Sequence, residues 1–315
     1  MTIERVILAE PRGFCAGVIR AIEAVELALA QYGPPVYVRR QIVHNLFVVR
    51  DLERKGAVFV EEVSAVPAGG RIIFSAHGIA PIVREMARGR ELDVIDATCP
   101  LVTKVHVEAV RYVRDGYKVL LVGHAGHDEI IGTMGEAPDD IILVQDMDDA
   151  AVVTVPNEER VALVTQTTLS VDETKGIVDA LKARFPKIRM PARSDICFAT
   201  QNRQDAVKLL AEETDVILVL GAENSSNSQR LREVADTGQC RAYLMDSLED
   251  LDESWLEGVQ SVGITSGAST PDSLVEEVIA HFMASGVEDV RTLKALEENV
   301  TFLLPRELSE AAASS

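Results

Sequence analysis

Aromatic residues make up only 4% of this 315-residue chain, which has a single tryptophan, Trp255. There is no series of rings on which successive bases could stack, the usual platform for single-stranded nucleic acid. Positive charge is also in deficit. The formal net charge is −19, which repels polyanions and excludes a general DNA- or RNA-binding role. No apolar run is long enough to span a bilayer. The opening MTIERVILAEPRG lacks the long apolar core and small-residue cleavage site of a signal peptide, so the expected location is the cytoplasm. Neither GxGxxG nor GxxxxGK followed by Ser or Thr occurs, which removes the standard dinucleotide and P-loop fingerprints. Cysteine is scarce too. The four cysteines, at 15, 99, 197 and 240, are too few and too dispersed for a disulfide framework and do not form the paired CxxC spacing of a zinc finger.

What is present is an α/β pattern. Apolar runs VYVR (36–39), RIIFSA (71–76), KVLLVG (118–123), VALVTQ (161–166), DVILVLG (215–221) and SVGITS (261–266) read as buried strands, most followed by a polar turn and a helix. The cysteines reveal a period. Cys15, Cys99 and Cys197 each open a helical stretch and lie 84 and 98 residues apart. A polar turn follows each at nearly constant distance: His44 is 29 residues on, His127 28 on and Ser225 28 on. A further turn carries His77, Thr167 or Ser269, in SAHGIAP, TQTTLSVDE and SGASTPD. Three related α/β modules around a pseudo-threefold axis are therefore expected, with strand carboxyl ends, cysteines and polar turns inward. They span 14–96, 97–194 and 195–283, the last taking in an N-terminal strand within 1–13. Residues 284–315 form a C-terminal extension, and its end, ELSEAAASS, is expected to be disordered.

Three convergent thiolates suit either a zinc ion with an open fourth position or an iron–sulfur cluster with one iron not held by cysteine. Helix N-termini behind them favour the anionic charge. His44, His77, His127, Ser225, Asn227 and Ser269 sit at strand ends and helix starts, where outward N–H groups suit phosphate. The same SSNS and SGASTPD stretches also read as helix caps, the second with Pro at the first helical position. Glu129 follows His127 by two residues. In an extended turn both face one side, and a carboxylate at an anion site is best explained as a general acid; Thr167 and Thr168 are placed to relay its proton. Cys240, His106 and His281 have no counterpart in the period and read as structural.

The strings EPRGFCAGV (10–18), VHN (43–45), SAHG (75–78), DATCPLVTKVH (96–106), GHAGHDEIIGTMG (123–135), TQTTLSVDET (165–174), DICFATQNRQ (195–204), NSSNS (224–228) and GASTPD (267–272) resemble the 4-hydroxy-3-methylbut-2-enyl diphosphate reductases. These enzymes catalyse the last step of the methylerythritol phosphate route to isoprenoids. The resemblance covers residues 3 to 306. It implies a trefoil of three α/β modules around a central 4Fe–4S cluster, with Cys15, Cys99 and Cys197 as ligands. It implies His44, His77, His127, Thr167, Ser225, Ser226, Asn227 and Ser269 as substrate contacts, and Glu129 as proton donor. The implied reaction is reductive dehydroxylation of a small diphosphate; the electron donor expected beside it is of ferredoxin or flavodoxin type. Arginines 39, 40, 50, 54, 84, 88 and 90 make the first module the expected docking face. Asp128 stands where the family has proline, and Glu223 adds a second negative charge near the expected anion pocket. Rival readings are another three-cysteine cluster enzyme, such as quinolinate synthase, and a zinc-stabilised metabolite-binding protein.

Overall fold

The computed structural model describes residues 3–236 and 239–308; most of the expected disordered tail, 309–315, lies outside the described residues. In chain order the first elements are β1 (Arg5–Glu10), α1 (Ala16–Tyr32), β2 (Val36–Arg39), α2 (Leu46–Arg54), β3 (Ala57–Val60), β4 (Arg71–Phe74), α3 (Pro81–Gly89) and β5 (Asp93–Asp96). There follow α4 (Pro100–Arg114), β6 (Lys118–Val122), α5 (Asp128–Glu136), β7 (Ile141–Val144), α6 (Met147–Val152), β8 (Val161–Thr165) and α7 (Val171–Arg184). The last are α8 (Phe198–Glu213), β9 (Val216–Leu220), α9 (Ser226–Ala235), β10 (Arg241–Met245), β11 (Ser261–Ser266), α10 (Asp272–Ala284) and β12 (Asp289–Lys294). No helix among the described residues is long and apolar enough to cross a membrane.

The fold is α/β, with three parallel sheets in the orders β10-β9-β11-β1-β12, β3-β2-β4-β5 and β7-β6-β8. Parallel strands need crossover helices, and the helices cover both faces of the sheet, so such strands are apolar throughout. That is the pattern here. All five residues of β8 and of β9 are buried, as are all six of β11. The described residues form two compact units. One comprises, among the described residues, 3–16, 44–46, 198–236 and 239–301 and contains the five-stranded sheet. The other comprises, among the described residues, 17–43, 47–197 and 302–308 and contains the other two sheets. Within this second unit α3 packs on α5, where a Cβ at Gly135 would fall 2.3 Å from that of Ala80. Only glycine permits that approach.

Each sheet reverses its strand order once. From β2 the chain goes out to β3 on one side and to β4 on the other; β6 does the same with β7 and β8, and β9 with β10 and β11. Ligands of open α/β sheets bind outside the carboxyl ends of the strands that flank such a reversal. The chain leaving those six strands carries His44, His77, His127, Thr167, Ser225 and Ser269. The polar turns found by spacing alone are thus the six switch-point turns.

Leu120 lies mid-strand in β6, fully buried, paired with Ile142 on one side and Leu163 on the other. Leu120→Ala is expected to cost its unit about 2–5 kcal/mol in urea denaturation. A cost below about 1 kcal/mol would show that this strand is not core.

Candidate active site

The second unit brings one set of predicted residues together. Cys99 caps α4, and its backbone N–H donates to Ala76 O at 2.9 Å, in the turn after β4. Cys197 immediately precedes α8, and its N–H donates to Thr167 O at 3.0 Å, in the turn after β8. Both thiols are half-buried. From the neighbouring switch-point turns come His77 and His127, whose rings stand edge to face with centroids 5.9 Å apart. His127 is the N-cap of α5, and its Nδ1 accepts from the Glu129 N–H.

Glu129 therefore lies in the first turn of a helix and not in the extended turn expected from sequence. It is 2% exposed. Thr167 N donates to Oε1 at 2.7 Å and Thr167 Oγ1 to Oε2 at 2.8 Å. Burial pushes this carboxyl up to about 7, the two Thr167 bonds pull it down, and the charge of Asp195 raises it further. A carboxyl so placed is a proton donor available at neutral pH.

The first unit assembles the remaining residues in the same way. Cys15 precedes α1, and its N–H donates to Ala268 O at 3.1 Å, in the turn after β11. The chain reaches it through Gly13, at φ +69°, whose N–H donates to Ser266 Oγ at 2.9 Å; that left-handed conformation is what requires glycine there. Ser269 Oγ donates to His44 O at 3.1 Å. Ser225 is the N-cap of α9, its hydroxyl accepting from Ser228, so the capping reading of this stretch holds. Pro271 is the N-cap of α10 instead of its first helical residue. Asn227 is 5% exposed, and neither end of its amide has a hydrogen-bond partner among the described residues. Such a group is costly to bury and calls for a ligand.

The three cysteine bonds put the repeats in register. Counting one residue on from the carbonyl that receives each cysteine N–H gives His77, Thr168 and Ser269. The equivalent of the two predicted anion contacts is thus Thr168, half-buried and held by Gln166 Nε2 at 2.9 Å, while the hydroxyl proton of Thr167 is committed to Glu129. Spacing from cysteine could not separate two adjacent threonines. A second equivalence links Glu129 with Asn227, each two residues past its helix cap. Asp128 is bonded by Arg40, so its charge is neutralised, and Glu223 is exposed. Cys240 is fully buried, with Thr214 Oγ1 at 3.9 Å, and His106 is buried with Nδ1 2.8 Å from Glu136, both in structural roles.

Because the Thr167 hydroxyl holds the Glu129 carboxyl down, Thr167→Val is expected to move it above about 7. Infrared titration of the protonated carboxyl stretch measures this, and an unchanged or lower midpoint would show that the hydroxyl does not hold the carboxyl down.

Residues 6–283 match the protein family described as LytB protein. A protein named 4-hydroxy-3-methylbut-2-enyl diphosphate reductase from Streptomyces avermitilis is 56% identical over 315 residues, covering 98% of this chain and 93% of its own. Among solved structures, the E-1-hydroxy-2-methyl-but-2-enyl-4-diphosphate reductase from Plasmodium falciparum superposes with a TM-score of 0.96 at 37% identity, covering 99% of both chains. A second, described as (E)-4-hydroxy-3-methyl-but-2-enyl diphosphate reductase, the terminal enzyme of the non-mevalonate pathway, gives a TM-score of 0.63 at 35% identity over 90% of this chain and all of its own. With full-length identity at this level and a family match over most of its length, the chain belongs to the LytB family.

Proposed function

We propose that this chain is a cytoplasmic reductase that converts (E)-4-hydroxy-3-methylbut-2-enyl diphosphate to isopentenyl and dimethylallyl diphosphate. The family is one of iron–sulfur reductases, and the donor set here fits such a group. Three half-buried thiols, each at a helix start with its own N–H bonded, offer soft anionic ligands stabilised by the helix dipoles. In this reading Cys15, Cys99 and Cys197 hold a 4Fe–4S cluster, one per chain. When bound, the cluster supplies the electrons and a Lewis-acidic site for the substrate hydroxyl.

The protein's own residues do the rest. His44, His77, His127, Ser225, Ser226, Asn227 and Ser269, with Thr168 added, bind the diphosphate at the helix starts and strand ends. Anion binding there uses outward N–H groups and hydroxyls. Gripping the remote diphosphate orients the allylic hydroxyl, so that binding energy is spent on alignment. Overall the substrate gains two electrons and two protons and loses water. Glu129 delivers protons, and Thr167 holds its carboxyl in place. The observation that carries this reading is the buried Glu129 carboxyl, raised to about 7 and held at both oxygens by one threonine.

The deciding assay is consumption of the hydroxylated diphosphate by anaerobically reconstituted, reduced protein. Glu129→Gln is expected to keep the brown cluster while turnover falls about 10²- to 10⁴-fold. In the native chain the donor form of Glu129 is lost as pH rises through about 7, so turnover falls on the alkaline side of that value. A pH limb that survives unchanged in Glu129→Gln would remove this residue from the role.

The electron donor is, in this reading, an acidic ferredoxin or flavodoxin. Of the arginines in the first module, Arg40, Arg54 and Arg84 are paired with Asp128, Asp51 and Asp96, and Arg50, Arg54 and Arg88 are exposed. Arg50→Glu with Arg88→Glu is expected to slow reduction by such a donor most at low salt. Salt-independent rates in the native chain would count against this face.

A further inference from the structure

The helices that begin after Cys15, Cys99 and Cys197 each carry a cation early in their second turn: Arg20, Lys104 and Arg203. A cation near a helix N-terminus opposes the dipole, and none of the three helices has an acidic residue in its first turn to offset it. Their hydrogen bonds give the reason for the placement. Arg20 Nη1 donates to Ala97 O at 3.0 Å and Thr98 O at 3.1 Å, the two residues before Cys99. Lys104 Nζ donates to Arg193 O at 3.1 Å, Ser194 O at 3.2 Å and Asp195 Oδ1 at 2.8 Å, the segment leading into Cys197. Arg203 donates through Nη2 and Nε to Gly13 O, at 2.8 and 3.3 Å, two residues before Cys15.

The order is cyclic. We propose that Arg20, Lys104 and Arg203 are positioning residues for the three cysteines. The helix after Cys15 holds the approach to Cys99, the helix after Cys99 that to Cys197, and the helix after Cys197 that to Cys15. This deepens the reading of the three cysteines as cluster ligands and rests on it. Carbonyls just ahead of a helix start have no partner within that helix. A cation supplies one and fixes the backbone from which the thiol projects. Two of the cations are held away from water: Arg203 is 1% exposed and Arg20 8%. Each is anchored a second time, Arg203 by Glu298 at 3.1 Å and Arg20 through Nε to Leu303 O at 2.7 Å.

The test uses the full chain, iron-free and reconstituted, as Arg20→Met, Lys104→Met, Arg203→Met and Lys104→Arg. In the iron-free chain, amide exchange is expected to accelerate about tenfold at the next cysteine in the cycle, namely Cys99, Cys197 and Cys15 for the three methionine variants, while the cysteine opening the mutated helix stays within about twofold. After reconstitution, iron loss to a chelator should be about tenfold faster or more, with Lys104→Arg restoring it. General loosening would accelerate all three cysteines together with buried Cys240, and that result would overturn the proposal, as would unchanged exchange at the next cysteine. If a buried arginine variant fails to fold, Lys104→Met at its 30%-exposed side chain decides alone. Exchange is read without iron, so a chain that binds no cluster at all is recognised separately, on reconstitution.

Discussion

One backbone hydrogen bond, made three times, governs the site: the N–H of each cysteine on the carbonyl of a switch-point turn, at 2.9, 3.0 and 3.1 Å. It joins the residue proposed to hold metal to the turn proposed to hold substrate. A shift in either turn therefore moves the other, and the next residue along each turn, His77, Thr168 or Ser269, is fixed relative to the thiol. The parallel sheets supply the precondition. Strands buried along their whole length are rigid, so the turns at their carboxyl ends depart from a fixed frame. Function here depends on loops, and these loops are short and tied at both ends.

The position two residues past a helix cap has been given two different chemistries. In α5 it is Glu129, a buried acid whose two oxygens are both bonded; in α9 it is Asn227, a buried amide with neither end bonded among the described residues. The difference follows from the neighbours. Thr167 reaches over Glu129 and bonds both of its oxygens. No described group bonds the amide of Asn227, and the proposed function gives that capacity to the diphosphate. One local geometry thus holds a satisfied carboxyl in one helix and an unsatisfied amide in the other, set by whether a threonine lies opposite.

The framework was legible because buried parallel strands are continuous apolar runs. VYVR and SVGITS are strands over their whole length, and RIIFSA overran only where Ser75 and Ala76 turn out of β4. Strands β3, β5, β7, β10 and β12 were not legible, since none is buried along its whole length and each has a weaker apolar signal. The chemistry-bearing turns were visible through their period. Their internal register was not: spacing alone does not distinguish Thr167 from Thr168, and it sees no helix cap in His127. The clasps of Arg20, Lys104 and Arg203 leave no local trace, because each joins a helix to a turn 77 to 190 residues away in sequence.

Burial of Glu129 has a thermodynamic side as well. The ordinary value of such a carboxyl is 4.5, and in the folded chain it is about 7. Between those two values the native chain carries a proton that the unfolded chain has released, so folding in this window is coupled to proton uptake. The sign is fixed: this residue favours the fold most on the acid side, that support declines as pH rises from about 4.5 to about 7, and above it no further change comes from this group. At mildly acid pH, inside that window, the chain therefore acquires the proton of Glu129 in the act of folding, before any substrate arrives.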